Sequence, residues 1–125
     1  MKLLLRRDQK TGILGKVTFT LDVRAEISAE EKDAIKKYKL GDAVLYSKKE
    51  FTGNTEGLKG LASFLAHRMM NLSIDVNDLA NGKKVECKDI SEMLAAEQQI
   101  KEAAQTLKGI LEAATNFKGE EVIEI

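Results

Sequence analysis

Apolar and polar residues alternate strictly from Val17. Val17, Phe19, Leu21, Val23 and Ala25 share one side, and Thr18, Thr20, Asp22, Arg24 and Glu26 share the other. This period of two belongs to an antiparallel strand buried on one face. Lys2 to Asp8 reads as a shorter strand before it, and Gln9-Lys10-Thr11-Gly12 as the turn that joins the two into a hairpin.

Ser28-Ala29-Glu30-Glu31 has the capping-box spacing, in which a serine hydroxyl and a glutamate three residues on satisfy each other's free amides. A short helix to about Tyr38, ending at Gly41, follows from it. Ala43 to Tyr46 reads as a third strand. Lys48 to Gly57 is loop-like, and Leu58, Leu61, Ala62, Leu65, Met69 and Leu72 then recur at helical spacing, which predicts a helix from about Thr55 to Met70. Leu72 to Val76 alternates as a fourth strand. Val76 to Asn81 reads as one helical turn, with Asn81-Gly82 as its terminus or as a hairpin turn, and Lys83 to Cys87 as a fifth strand.

Asp89 caps a long helix to about Asn116. Its stripe holds Ile90, Met93, Leu94, Ile100, Ala103, Ala104, Leu107, Ile110, Leu111, Ala114 and Phe117. Gly109 speaks against an unbroken helix there, since glycine costs about 1 kcal/mol in a helix interior. Glu121 to Ile125 is a short strand-like tail, suited to its own sheet or to a partner's edge. No repeat, low-complexity tract or linker interrupts the chain. These elements predict a single α+β domain over residues 1–125. It is an antiparallel sheet of about five strands with an N-terminal hairpin, covered on one face by helices that include the long C-terminal one.

Composition narrows the function classes. The 125 residues are 43% hydrophobic and 32% charged, enough for both a core and a solvated surface. Twenty basic and twenty acidic residues give zero formal charge. That argues against nucleic-acid binding, which needs an excess of positive charge to displace counterions. No apolar run approaches the roughly 18 residues of a spanning helix. Leu3-Leu4-Leu5 before Arg6-Arg7 is too short for a signal peptide. A cytoplasmic protein without a membrane is expected, and Asn71-Leu72-Ser73 is then a chance sequon. One cysteine and one histidine build neither a disulfide nor the usual zinc site.

Few side chains recommend chemistry, so no catalytic residue, metal ligand or cofactor is assigned. His67 has no local acid or nucleophile and reads as structural or surface. Cys87 stands where a strand enters a helix, beside Lys88. It is either a reactive thiol or, preferably, a small buried residue. Asp75 to Asn81 resembles a calcium loop only superficially, because Leu79 and Ala80 occupy positions that need a ligand and a glycine. Gly53, Asn54 and Thr55 open a glycine-rich stretch before a helix, a candidate anion loop although Glu56 opposes an anion. Arg6 or Arg7 beside Arg24 across the hairpin would form a small basic patch. Surface pairing with Asp8, Asp22 or Glu26 is the plainer reading.

No motif is specific enough to name a family. The expected function is that of a non-enzymatic protein that assembles with itself and presents a surface to a protein partner. The alternative is a binding protein for a small anionic or nucleotide-like ligand, held by Arg6, Arg7, Arg24, Gly53, Asn54 and Thr55. A second alternative is a small enzyme using carboxylates or Cys87. A two-fold homodimer is expected, because a helix of about 40 Å is as long as a subunit of roughly 35 Å. One small sheet should not cover its whole stripe.

Overall fold

The computed structural model describes residues 1–47, 71–116 and 122–125. The loop and helix expected between Lys48 and Met70, with His67, Gly53, Asn54 and Thr55, lie outside the described residues.

Strands β1 (Lys2–Thr11) and β2 (Val17–Glu26) form the N-terminal hairpin. They pair over their full lengths, from Lys2 opposite Glu26 to Thr11 opposite Val17. The turn therefore sits later than Gln9 to Gly12. It is closed by the Gly12 amide donating to the Lys16 carbonyl at 2.6 Å and the Gly15 amide to the Gly12 carbonyl at 3.0 Å. Gly15 takes φ +78°, which a side chain would resist. The polar run Gln9-Lys10-Thr11 extends the ladder because both its faces are solvated. The apolar pair Ile13-Leu14 stands exposed at the tip.

Helix α1 (Ala29–Lys37) begins at Ser28 with the reciprocal capping box. The Glu31 amide donates to Ser28 Oγ at 3.2 Å, and the Ser28 amide to Glu31 Oε1 at 3.1 Å. It ends on Lys39 in the left-handed region at φ 53°, two residues before the expected Gly41. The Leu40 amide reaches back to the Ile35 carbonyl at 2.9 Å and that of Lys39 to Lys36 at 3.3 Å. This is the Schellman arrangement with a lysine in the glycine position. Gly41 instead allows a close approach, since a β-carbon there would lie 3.0 Å from Asn77 Oδ1.

Strand β3 (Val44–Ser47) pairs antiparallel with β4 (Ser73–Asp75). Helix α2 (Val76–Asn81) follows directly, capped by Asp75 and ended at Gly82 with φ 97°. Strand β5 (Lys83–Cys87) then joins β2 antiparallel, with Leu21 opposite Val85. Helix α3 (Ile90–Thr115) runs unbroken through Gly109, and the Glu92 amide donates to the Asp89 cap at 2.8 Å.

The chain is thus α+β. Its five described strands form a three-stranded sheet in the order β1-β2-β5 and a two-stranded sheet β3-β4. Helix α3 packs on β2 and β5 of the first sheet, on β3 and β4 of the second, and on α1. Ala96, Ile100, Ala103, Ala104, Leu107 and Leu111 are all buried, against Leu21, Val23, Val85 and Ile74 among others. The apolar surplus expected on this helix is therefore absent along most of its length. Two sheets and a helix cover what one sheet could not. Among the described residues of the stripe, Ile90 and Leu94, 56% and 55% exposed, are the large apolar side chains left uncovered, in the first two turns.

Candidate functional site

The larger sheet has two edges, and β1 is the longer, at ten residues against five for β5. Among the described residues no strand lies on its far side. Period-two geometry puts Leu3, Leu5 and Arg7 on the face toward α3, and Lys2, Leu4, Arg6 and Asp8 on the outer face. Opposite them, Ala25, Val23 and Leu21 on β2 are buried, yet Leu3 and Leu5 are only half-buried. The apolar layer therefore stops one strand short of being closed, with two leucines at its margin.

Arg7 holds the inner end of this row. Its Nε and Nη2 donate to the two carboxylate oxygens of Glu97 on α3, the second at 2.9 Å. Glu97 is 3% exposed, whereas the Arg7 side chain remains largely in water. The hydrogen-bonded guanidinium outweighs the effect of burial and holds the Glu97 carboxyl below the usual carboxylate range. An inward-pointing charge on an edge strand discourages further pairing beside it. The receptive part of the edge is consequently Lys2 to Arg6.

Arg6 and Arg7 point to opposite faces, so only Arg6 joins Arg24 in the expected patch. Arg6 lies opposite Asp22, which in turn lies opposite Lys84 of β5, while Arg24 stands opposite Leu4. Leu3, Leu4, Arg6, Asp22, Arg24 and Lys84 border a shallow depression on the sheet. Arg7 is committed to Glu97 on the other side.

The remaining candidates are structural where they are described. Cys87 is 2% exposed, opposite Phe19. Burial, then the charges of Glu92, Asp89 and Glu97, push its thiol pKa up, away from the reactive range. Asp75 and Asp78 cap α2 reciprocally: the Asp78 amide donates to Asp75 Oδ1 at 2.8 Å and the Asp75 amide to Asp78 Oδ2 at 3.0 Å. Gln99 is fully buried on α3, and its side-chain amide has no hydrogen-bond partner among the described residues. Residues 122–125 form no strand, and Val122, Ile123 and Ile125 stand exposed.

The Arg7–Glu97 pair is the feature that sequence reasoning missed, and its signal was present. Met93, Glu97, Ile100, Ala104, Leu107 and Leu111 recur at 4-3-4-3-4 spacing, so Glu97 stands within an apolar row. Leu3, Leu5 and Arg7 likewise place a cation in a core-facing series. The buried Glu97 carboxylate calls for a cation, and Arg7 is the one that the core-facing row of β1 supplies.

Comparison with known proteins finds no match: no family model, no curated protein and no solved structure is similar to the chain.

Proposed function

We propose that this protein is non-enzymatic and acts by assembling with itself, through strand pairing at the β1 edge. The observation that carries this reading is the open margin of the larger sheet: a ten-residue strand whose inward leucines, Leu3 and Leu5, are half-buried beside the buried Val23 and Ala25 of β2. An added strand would satisfy the free backbone groups of β1 and cover both leucines, which is how exposed edges recruit partners. The interface on this reading is the sheet edge, because the stripe of α3 is occupied within the subunit.

Light scattering across micromolar concentrations tests the proposal. A mass that is a multiple of 13.8 kDa supports it, and 13.8 kDa throughout overturns it. Leu4→Lys adds a charge to the edge at a partly exposed position, so it should weaken assembly while leaving the circular dichroism unchanged.

A second reading rests on the outer-face depression. Arg6, Arg24 and Lys84 surround Asp22 there, an arrangement suited to a small anion with an apolar portion against Leu4. A nucleotide and metabolite thermal-shift screen tests it. A ligand at 100 times its dissociation constant stabilises by about 2.7 kcal/mol, and Arg24→Ala should abolish the shift.

A further inference from the structure

The β1 edge has a complementary segment within the same sequence. Val122-Ile123-Glu124-Ile125 alternates, with Ile123 and Ile125 on one side and Val122 and Glu124 on the other. In the structure its three apolar side chains are 71% exposed or more, docked on nothing among the described residues. We infer that the occupant of the β1 edge is this segment from a second copy of the chain, laid antiparallel with Ile123 opposite Leu5 and Ile125 opposite Leu3. The inference rests on the self-association proposed above and names the strand that accomplishes it.

Register and charge both favour this pairing. Residues opposite one another in an antiparallel ladder share a face. Ile123 and Ile125 thus fall on the core-facing side, where they cover the two half-buried leucines and continue the layer of Val23 and Ala25. Val122 and Glu124 fall on the outer side, opposite Arg6 and Leu4. Glu124 then lies diagonally between Lys2 and Arg6, within reach of both. A slip of one residue would turn both isoleucines outward, one opposite Leu4 and the other opposite Lys2 or Arg6, and leave Leu3 and Leu5 uncovered. Pairing stops before Arg7, which already serves Glu97. Reciprocal exchange between two copies forms a closed two-fold dimer, each larger sheet gaining a fourth strand.

The experiment compares the full chain with Ile123→Asp/Ile125→Asp by light scattering, then joins the two strands covalently. Both substituted positions are exposed, so the variant keeps the fold, as its circular dichroism and melting curve verify. A dimeric parent with a variant whose dissociation constant rises about tenfold or more supports the inference. A dimeric parent with an equally dimeric variant overturns it and leaves self-association through another contact standing. A monomeric parent overturns both. Glu124→Lys should weaken the dimer, and adding Arg6→Glu should restore part of the loss. Leu4→Cys/Glu124→Cys places two thiols opposite each other. Oxidation that gives a covalent dimer supports exchange between copies, and an internally closed monomer overturns it.

Discussion

Arg7 and Glu97 show what a single pair can decide. Alone, Glu97 would be a carboxylate taken out of water; with a bidentate guanidinium it ties the edge strand to the long helix. Because its folded pKa is depressed, its contribution is present above the unfolded value of about 4.3 and is lost as pH falls through the folded value. Arg7→Ala should therefore destabilise the protein at pH 7, and the difference from the parent should shrink at pH 3.5, as urea titrations at both pH values will measure. Cys87 is the second case at this scale. A thiol that is buried and surrounded by carboxylates should react with a disulfide reagent at pH 7.5 at least about tenfold more slowly than free cysteine. Labelling at the free rate would revive a reactive role for it.

Two elements carry residues that their own geometry does not favour. Gly109 lies within α3, and a β-carbon there meets no atom within 4 Å. Gly109→Ala should raise stability by about 1 kcal/mol, since alanine removes the entropic cost of glycine without a clash; chemical denaturation measures it. Lys39 closes α1 with φ 53°. Lys39→Gly should stabilise by about 0.5–1 kcal/mol, because the left-handed conformation carries no penalty without a β-carbon. A loss in either variant would mean that the side chain replaced, or the space filled, matters in a way the local geometry does not reveal. The capping signals were legible in both helices: Ser28 with Glu31 and Asp89 before Ile90 lie where the sequence puts them, because a cap is a contact three residues long. The stop of α1 was not, because a lysine carries no mark that it will take the glycine position.

At the scale of the molecule, α3 is the axis on which both sheets are built. Leu107 is fully buried in it, so Leu107→Asp should cost at least about 3 kcal/mol and abolish the cooperative melt. Gln98→Asp, on the exposed side of the same helix, should change stability by less than about 0.5 kcal/mol. A soluble, folded Leu107→Asp monomer would instead mean that this stripe serves an interface. The sequence by itself determined the α+β class, the hairpin, β2 and β5 to the residue, and the long helix with its cap, since each follows from a local period or a short-range contact. Tertiary structure decided the rest. Five strands divide between two sheets, which cover the helical stripe that one sheet would have left open. Arg6 and Arg7, neighbours in the chain, serve opposite faces. Strand pairing and burial are settled by residues far apart in sequence, and a period of two or 3.6 says which residues share a face but never what that face will meet.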